Sequence, residues 1–375
     1  MSYTGKKLNI LELGKFYWPS KGGMETLLQL FCKGFTDMGH EVECVVSNEK
    51  PKKIIEKIEG VPVRREAQFS KLLSTSICPE YIKACRRAKA DIWHHHFPNP
   101  LADVACLLGD KKTPLILSYH SDIIRQAAFM KIYSHVMNRV LDRSQKIVVA
   151  TPFHFTYSQW LQPYEDKVVV IPYGINLSQL EKKKSDGPAI EELREQAQAP
   201  IFLNVGRLVG YKGQKVFIQA LKETNGTAWI VGQGPLEKEL RELAKSENLE
   251  DRVIFWGGVS EDKLRHLIHA CDVFVFPSIT PNEAFGLVQV EAMACSKPVI
   301  ATNLQSGVPY VNKDRVTGLN VAPNSSSELS EAMEKLGNDS NLRAEYGRNA
   351  KERAFNEFET GVMLRRYIKL MYDLL

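Results

Sequence analysis

Two stretches of the chain repeat one pattern, in which a short apolar run is followed by a loop and then by a helical segment. Before residue 180 the apolar runs are LNILEL (8–13), GHEVECVVS (39–47), DIWHHHF (91–97), PLILSYH (114–120) and KIVVATP (146–152). After residue 200 they are IFLNVG (201–206), AWIVG (228–232), RVIFWG (252–257), DVFVFP (272–277) and KPVIAT (297–302). Strands that alternate with helices predict parallel sheets covered on both faces. The chain is therefore predicted to contain two α/β domains.

The domain boundaries follow from where the pattern stops and restarts. A chain of 375 residues is long enough for two domains. The first pattern ends with VVVIPYGINLSQL (168–180), and the charged segment EKKKSDGPAIEELREQAQ (181–198) follows it. We therefore predict an N-terminal domain, a linker region, a C-terminal domain and a terminal amphipathic helix that crosses back to the first domain. Their ranges are 1–172, 173–198, 199–355 and 356–375.

The composition excludes several classes of protein. Hydrophobic residues make up 44% of the chain and charged residues 25%, which is enough to build proper cores. The chain has no run of about 18 apolar residues, so no membrane span is expected. No secretory signal is visible, and the seven cysteines are scattered without a C-x-x-C pair. This usage predicts a cytoplasmic protein with reduced thiols and neither disulfides nor a zinc site.

The positive charge is concentrated in the first half of the chain. The net charge is +5, and residues 1–172 contain 24 Lys and Arg against 17 Asp and Glu. The basic residues cluster in YIKACRRAKA (81–90) and in 125–146, from Arg125 and Lys131 to Lys146. Such clusters fit a solvated helix face as well as a peripheral contact with an anionic membrane.

Polar or glycine-rich residues follow nearly every predicted strand. His120 follows the strand at 114–119, while Arg207 and, five residues later, Lys212 follow the strand at 201–206. The turns GQGP and GGV follow the next two strands, and the loop PSITPNEAFG follows the strand at 272–276. Ligands of parallel sheets bind beyond the carboxyl ends of the strands. A ligand site is therefore predicted at these ends.

Two glutamates, Glu283 and Glu291, flank a short apolar segment in EAFGLVQVE. Residues eight apart on one helix are turned by about 80° from each other, so the pair would not share a helix face. Pro277 and Pro281 predict an irregular loop over 277–284, with a helix that begins near Phe285 or Gly286. The first amides of that helix lack internal partners and carry partial positive charge, which favours a diphosphate between the two carboxylates. A nucleotide-sugar has this layout of hexose, diphosphate and ribose.

These motifs together resemble those of retaining glycosyltransferases of family four (glycosyl transferases group 1). The matching features are E-x7-E (283–291), GRLVGYKG (206–213), VGQGP (231–235), the early pair Gly22 and Gly23, and His120. The resemblance covers essentially the whole chain in order. It implies a GT-B fold, in which two Rossmann-like doubly wound parallel-sheet domains face a cleft. HHHFPNP (94–100) and SYHSDIIRQ (118–126) are most similar to mannosyl- and rhamnosyltransferases of bacterial surface polysaccharide assembly.

The resemblance also implies roles for individual residues. Arg207 and Lys212 would bind the leaving diphosphate, where fixed cations stabilise the accumulating charge. Glu283 would contact the hydroxyls of the donor sugar, and Glu291 the ribose. His120 would lie near the reacting carbon. The remaining contacts are implied to come mainly from backbone: Gly22 and Gly23 for phosphate or acceptor, Gly258 and Val259 for the base, and Phe285, Gly286, Leu287 and Val288 for sugar and phosphate.

The activity implied by the resemblance is transfer of a hexose with retention of configuration. The expected donor is GDP-mannose, and the expected acceptor is a saccharide or a lipid-linked saccharide. The sequence contains no D-x-D pair, so no metal and no other cofactor is expected. His94, His95 and His96 do not change this expectation, because three consecutive strand residues cannot converge on one ion.

Other interpretations remain open from the residues themselves. Taken alone, Glu283 fits a loop carboxylate, Glu291 an exposed helix residue, Arg207 a surface residue and His120 a satisfied core imidazole. A UDP-sugar-dependent glucosyl-type transferase and a sugar-nucleotide epimerase would share the fold. A non-catalytic sugar-nucleotide binder is disfavoured because the expected site has no missing residue. A dinucleotide oxidoreductase is disfavoured because no G-x-G-x-x-G follows a strand with an acid about 20 residues later. No nucleic-acid partner is expected.

Overall fold

The computed structural model describes residues 6–20, 22–72, 75–122 and 127–375, and it describes side chains in these ranges outside 71–76 and 127–132. The chain divides into two compact units. The first comprises Met1–Pro172 together with Met363–Leu375, and the second comprises Tyr173–Val362.

The first unit is built on an eight-stranded sheet in the order β10-β9-β8-β7-β1-β2-β4-β3. All neighbouring strands pair in parallel except β3, which runs antiparallel to β4 at the edge. The strands of this unit are β1 (Asn9–Leu13), β2 (Glu41–Ser47), β3 (Ile54–Ile58), β4 (Val61–Glu66), the short pair β5 (Ser70–Leu72) and β6 (Thr75–Ile77), β7 (Ile92–Phe97), β8 (Leu115–Tyr119), β9 (Lys146–Val149) and β10 (Val168–Val170).

Helices cover both faces of this sheet. Every residue of the central strands β7 and β8 is buried, as expected for parallel strands with helices on both sides. The helices of this part are α1 (Gly23–Asp37), α2 (Pro79–Arg87), α3 (Pro100–Leu108), α4 (Ala127–Arg143), α5 (Pro152–Tyr157) and a 3₁₀ turn at Gln162–Lys167.

The second unit has a six-stranded parallel sheet in the order β13-β12-β11-β14-β15-β16, the doubly wound order typical of nucleotide-binding domains. Its strands are β11 (Ile201–Val205), β12 (Thr227–Val231), β13 (Val253–Gly257), β14 (Val273–Phe276), β15 (Val299–Thr302) and β16 (Gly318–Val321). Its helices are α6 (Gly187–Glu195), α7 (Gln214–Ala220), α8 (Glu237–Ser246), α9 (Glu261–Ala270), α10 (Leu287–Ala294), α11 (Val308–Val311), α12 (Ser326–Asn338) and α13 (Ser340–Glu357), with 3₁₀ turns at Ser178–Leu180, Lys184–Asp186, Gly210–Lys212 and Leu221–Glu223.

The segment 173–198, predicted as a linker region, belongs to the second unit and is ordered against it. Asp186 is buried, and its carboxylate accepts hydrogen bonds from the Arg265 guanidinium at 3.2 Å. These hydrogen bonds, more than any other effect, hold the pKa of Asp186 well below its usual range. One charged residue of this segment thus forms a specific ion pair with α9.

The terminal segment 356–375 is not the single helix that its amphipathic pattern predicted. Helix α13 ends at Glu357, and α14 (Thr360–Tyr372) begins after a break at Phe358. Phe358 is buried, Glu359 forms a β-bridge with Ile175, and the Glu359 carboxylate accepts from the amides that open α14. These contacts with distant residues stop the helix where the local pattern would let it continue.

Helix α14 packs into the core of the first unit. Its buried residues join the cluster that contains Phe31 and Phe35 of α1, and a Cβ atom at Gly34 would lie 2.3 Å from the Leu364 side chain. All seven cysteines are buried free thiols. Within the described ranges, none of the helices combines the length and the apolar character needed to cross a bilayer.

The packing of α14 predicts a matched pair of stability effects. Ile368 is fully buried and Lys369 is exposed. Truncation of a buried isoleucine leaves a cavity, so we expect Ile368→Ala to lower the free energy of unfolding by about 2–5 kcal/mol. Lys369→Ala should change it by less than about 0.5 kcal/mol. Urea unfolding measures both, and equal small effects would show that α14 does not pack as described.

Candidate functional site

Two predicted site residues of the second unit, Lys212 and Glu283, follow neighbouring strands. Lys212 lies in the turn after β11, and Glu283 lies in the loop after β14. The Lys212 ammonium donates to Glu283 Oε2, which also accepts from Ser278 Oγ at 3.3 Å. Their side chains are only 15% and 11% exposed, so water screens this ion pair weakly. The structure therefore brings these two residues together as a partly desolvated pair.

Aromatic rings complete the surroundings of Lys212. Its Nζ atom lies 5.4 Å from the ring centre of Tyr211 and 5.3 Å from that of Phe276. Ring faces attract a cation at such distances. Lys212 is thus held by a carboxylate and two rings in one position at the strand ends.

Arg207 is positioned by backbone contacts rather than by its side chain. The Leu208 amide donates to the Gln233 carbonyl at 3.0 Å, and Gln214 Nε2 donates to the Arg207 carbonyl at 3.1 Å. Gly232 has a φ of 135°, and a Cβ atom there would lie 2.0 Å from the Gly206 carbonyl oxygen. The GQGP turn therefore requires its first glycine. In the part of the chain that the structure describes, the exposed Arg207 guanidinium has no hydrogen bond or ion pair.

The loop between the two glutamates ends in a second required glycine. Gly286 has a φ of 75°, and a Cβ atom there would lie 2.6 Å from the Phe276 ring. Helix α10 begins at the next residue, Leu287, close to the predicted start. The amides of Leu287 and Val288 lie in its first turn, where they have no intrahelical partner. Phe285 is buried, with its ring edge-on to Phe358, and it fixes the approach to this helix end.

Glu291 lies in the second turn of α10 and is partly buried. Burial, followed by the negative charge of Glu261, raises the pKa of Glu291 to about 7. Within the described residues its carboxylate has no hydrogen bond or ion pair. A partly buried carboxylate without a protein partner can take hydrogen bonds from water or from a ligand.

An open depression lies beside Glu291. Its lining includes Leu180, Lys183, Ser260, Glu261 and Arg265. Gly258 and Val259, the predicted base contacts, directly precede Ser260, the N-cap of α9. The depression thus extends from Glu291 to Ser260, the residue that follows the predicted base contacts.

A further depression, in the first unit, lies at the opposite end of the strands. Its lining includes Asn9, which begins β1, and Glu41, which begins β2. Ligands of doubly wound sheets bind at the carboxyl ends, so this depression is not a candidate for the predicted site.

In the first unit, His120 directly follows β8. Its Nε2 atom lies 3.1 Å from Nδ1 of His96, and the two rings lie side by side and nearly coplanar, with centres 5.3 Å apart and an interplanar angle of 8°. Burial, and then the neighbouring histidines, lower the pKa of His120 well below its usual range. His120 is therefore a neutral imidazole at pH 7.

Consecutive residues of a strand point to opposite faces, and this separates only His95 from the other two histidines. That residue points to the opposite face, where its Nε2 lies 2.6 Å from Asp103. His94 and His96 share a face with Glu12 of the neighbouring strand β1, and each ring lies 2.9 Å from a different carboxylate oxygen. The sequence reasoning missed Glu12, although the i, i+2 histidine pair was a visible signal.

The group of Glu12, His94 and His96 bears on the expected absence of a metal. Their ligand atoms lie within 4.8 Å of one another, close enough to hold an ion. Both carboxylate oxygens, however, are already engaged by imidazole nitrogens. The metal-free site therefore stays a prediction.

The early glycine pair lies where the first helix begins. Gly22 is the extended N-cap of α1, and a Cβ atom there would lie 2.1 Å from Glu25 Oε2. No atom lies within 4 Å of the Cβ position of Gly23 among the described residues, so packing does not require this glycine.

Part of the basic cluster at 125–146 serves the fold. Arg143 Nη2 donates to the Asp110 and Thr113 carbonyls at 2.8 and 3.0 Å. Arg125 lies outside the described residues, as does the side chain of Lys131.

Comparison with known proteins assigns the family. Residues 188–353 match the family model "Glycosyl transferases group 1", and residues 21–179 match "Glycosyltransferase Family 4". The chain is 30% identical to the O-antigen chain mannosyltransferase C of Escherichia coli, over 98% of this chain and 99% of that protein. It is 32% identical to the D-rhamnosyltransferase WbpZ of Pseudomonas aeruginosa, over 92% of this chain and 91% of that protein.

Solved structures show the same fold. A glycosyltransferase from Rickettsia africae superposes with a TM-score of 0.77 at 20% identity, covering 99% of both chains. Anabaena HepE in complex with UDP superposes with a TM-score of 0.77 at 22% identity, covering 97% of this chain and all of that one. The predicted family and the predicted GT-B fold with two parallel-sheet units are confirmed. The chain belongs to glycosyltransferase family four, the glycosyl transferases group 1.

Proposed function

We propose that this chain is a retaining hexosyltransferase that moves an α-mannosyl group from GDP-mannose to a saccharide or lipid-linked saccharide acceptor without a metal ion. The observation that carries the proposal is the Lys212–Glu283 pair at the strand ends, beside the open first turn of α10. Two full-length relatives, named as a mannosyltransferase of O-antigen and a D-rhamnosyltransferase, support the sugar class.

The diphosphate is the leaving group, and its charge increases as the bond to the sugar breaks. Lys212 is fixed by its contacts, and the exposed Arg207 guanidinium is available to hold two phosphate oxygens. The free amides of Leu287 and Val288 add partial positive charge from the helix end. Such preorganised charges stabilise the transition state in place of a metal ion.

Glu283 holds the sugar. One of its carboxylate oxygens binds Lys212, and the other can accept hydrogen bonds from hydroxyls of the donor sugar. In a same-face displacement, the bond between the anomeric carbon and the diphosphate oxygen breaks. The acceptor oxygen forms the new bond, and its proton passes to the departing phosphate. No protein nucleophile is required, and the product linkage is α.

The nucleoside half would occupy the depression beside Glu291. The ionised carboxylate accepts hydrogen bonds from the two ribose hydroxyls, which relieves its lack of a partner. Glu261 lines the same depression, and its carboxylate matches the adjacent N–H donors on the edge of guanine. This match favours GDP. UDP-sugars are the second candidate, because HepE has been solved with UDP-glucose.

We further propose that the acceptor is lipid-linked and that contact with the membrane is peripheral. The basic balance of residues 1–172 supports an electrostatic attraction to anionic lipids. Arg143 donates to backbone carbonyls within the fold, so we do not include it among the residues proposed to contact the membrane.

A transfer assay in excess chelator tests the proposed function. Purified protein is incubated with GDP-mannose or UDP-glucose and lipid-linked acceptors, and the products are analysed by mass spectrometry and NMR. We expect transfer from GDP-mannose, an α linkage, and the same rate with and without chelator. Transfer only from UDP-glucose, or activity restored only by Mg²⁺ or Mn²⁺, would contradict the corresponding part of the proposal.

Arg207→Ala should slow the chemical step. Loss of one fixed donor to developing charge costs on the order of 10²–10³ in kcat. Arg348 is exposed on α13, and Arg348→Ala provides the matched control for lost surface charge. Steady-state kinetics of both variants separate kcat from KM. If both variants have the same small effect on kcat, Arg207 does not act in the chemical step.

Glu291 predicts a pH dependence of nucleotide binding. Because its pKa is raised to about 7, the carboxylate must lose a proton before it can accept from ribose hydroxyls. Affinity for GDP should therefore fall as the pH drops from 8 to 6, and calorimetry in buffers of different ionisation enthalpy should detect proton release on binding.

Glu291→Gln is the reference for this measurement. The diphosphate of GDP still titrates when this variant binds it, so some pH dependence remains. The variant should bind GDP weakly, and its affinity should change less with pH. Identical pH profiles in the two proteins would exclude Glu291 from the ribose site.

A further inference from the structure

We propose that the first unit binds an anionic lipid bilayer through one surface at the carboxyl end of its sheet, where aromatic and aliphatic side chains enter the interface between lysines. This surface, called the aromatic–lysine surface, consists of Trp18, Lys50, Lys52, Phe69 and Ile77. The inference deepens the proposed function, on which it rests for the lipid-linked acceptor. It concerns the first unit alone.

Three large apolar side chains of this surface are exposed. Trp18 is 53% exposed, Phe69 69% and Ile77 44%. A single exposed apolar side chain is ordinary on a protein surface, whereas a group of them marks a site of contact. Phe69 and Ile77 are direct neighbours, because the Phe69 amide donates to the Ile77 carbonyl at 3.1 Å.

Arg65 ties Trp18 to the strand that precedes Phe69. Arg65 lies on β4 and is buried, and its guanidinium donates to the carbonyls of Tyr17 and Trp18. Phe69 follows Arg65 by four residues, so their backbones lie at most about 14 Å apart. Trp18 and Phe69 therefore belong to neighbouring loops at one edge of the sheet.

The loop that carries Trp18 is anchored in the core. Tyr17 is fully buried, and its ring centre lies 6.0 Å from the guanidinium carbon of Arg65. The Ser47 amide at the end of β2 donates to the Lys15 carbonyl at 3.0 Å. The exposure of Trp18 is thus set by the buried residue before it and by the contacts of its loop with β2 and β4.

The segment that follows β2 adds positive charge at the same edge. Lys50 and Lys52 are exposed, and within the described residues neither forms an ion pair. The Gln68 amide, directly before Phe69, donates to the Lys50 carbonyl at 3.5 Å. Segment 48–53 contains three lysines and one acidic residue, so its charge is positive.

The third lysine of this segment does not add to the attraction. Lys53 Nζ lies 2.8 Å from Oε1 of Glu66, a fully buried carboxylate, and the two charges compensate each other. The net positive charge of the surface is therefore small. Charge alone would bind a bilayer weakly, and the exposed aromatic rings must supply a large part of the binding.

The residue types favour a bilayer over a protein partner. Lysine is depleted in protein–protein interfaces, although aromatic residues are enriched there. At a bilayer interface, tryptophan rings sit at the level of the headgroups, and lysine places its ammonium group among anionic lipids while its stem lies along apolar groups. A surface that combines exposed aromatic rings with unpaired lysines is complementary to anionic lipid.

The position of the surface agrees with the proposed acceptor. Its residues lie on the loops that follow β1, β2 and β4, which end at the same edge of the sheet. Ligands of doubly wound sheets bind beyond this edge. A saccharide carried on a membrane lipid would thus be presented to the first unit at the edge where its ligands are expected.

The basic cluster at 81–90 extends to the opposite edge of the same sheet. Lys89 lines the depression that also contains Asn9 and Glu41, the residues that begin β1 and β2. Lys89 and Arg86 are exposed. These two residues therefore provide a control in which the same positive charge is removed away from the aromatic–lysine surface.

Quenching of tryptophan fluorescence by lipid tests the insertion of Trp18. The full chain is mixed with vesicles of phosphatidylcholine and phosphatidylglycerol in equal parts, with brominated acyl chains. We expect the wild type to be quenched, and Trp18→Phe to bind the same vesicles with less quenching. The chain has five tryptophans, so the difference between the two proteins isolates Trp18. Binding without quenching, or equal quenching in both proteins, would overturn the proposal.

Sedimentation with unbrominated vesicles of the same composition separates the apolar and the charged contributions. We expect Trp18→Ser/Phe69→Ser to bind about tenfold more weakly or less, because two large apolar side chains no longer enter the interface. Lys50→Gln/Lys52→Gln should bind more weakly and with less dependence on salt. The altered side chains are exposed, so the Tm of each variant should match that of the wild type.

Arg86→Gln/Lys89→Gln is the matched control for lost charge and should bind vesicles as the wild type does. Equal losses in this control and in Lys50→Gln/Lys52→Gln, with no loss in Trp18→Ser/Phe69→Ser, would show that only net charge matters and would overturn the proposal. Analytical ultracentrifugation without lipid covers a second copy of the chain as the occupant. A wild-type dimer that dissociates in Trp18→Ser/Phe69→Ser would also overturn it.

These outcomes are distinguishable from failure of the proposed function, because vesicle binding needs neither donor nor turnover. If vesicles quench Trp18 but no transfer is found, the surface stands and the proposed activity fails. If transfer to a water-soluble saccharide proceeds without vesicle binding, the activity stands and this inference fails. Where both hold, Trp18→Ser/Phe69→Ser should lose transfer to an acceptor embedded in vesicles and keep transfer to the water-soluble one.

Discussion

Parallel pairing of the strands is the constraint on which the candidate site depends. It places the carboxyl ends of β11 and β14 side by side, so that residues 71 positions apart, Lys212 and Glu283, meet as an ion pair. Neither residue is part of a strand, and their ion pair joins the two loops that follow these strands. The sheet supplies the position, and two glycines, Gly232 and Gly286, let the following turns lie close against the strand ends.

Desolvation explains why the polar residues at this edge of the sheet differ in their pairing and protonation. Lys212 is largely buried and already paired, whereas Arg207 is exposed and relies on backbone contacts for its position. Burial also favours the neutral form of Glu291, which forms no ion pair within the described residues although Lys183 and Arg265 line the same depression. A ligand with a diphosphate and a ribose would supply an anion for the first two residues and hydroxyl donors for the third. This is the kind of ligand that the proposed function requires.

The sequence predicted ten of the strands and their parallel arrangement, because apolar periodicity is a local signal. The ligand-binding edge stays a prediction. It also predicted the start of α10 to within a residue or two, since Pro277, Pro281 and Gly286 are local breakers. It failed where distant residues decide. The break at Phe358 depends on Ile175, and the order of 173–198 depends on Arg265. The partnership of Glu12 with His94 and His96 depends on β1 and β7 being neighbours, which no local pattern contains.

The contrast between Glu12 and Glu291 shows how strongly surroundings decide what a carboxylate can do. Glu12 is the more deeply buried of the two, yet its pKa is lowered because two imidazoles donate to it. Glu291 is less buried, but burial, followed by the negative charge of Glu261, raises its pKa. A satisfied carboxylate gains nothing from a ligand and is suited to orient the groups around it. An unsatisfied one gains donors when a ligand binds, so Glu291 rather than Glu12 is the candidate for ligand binding.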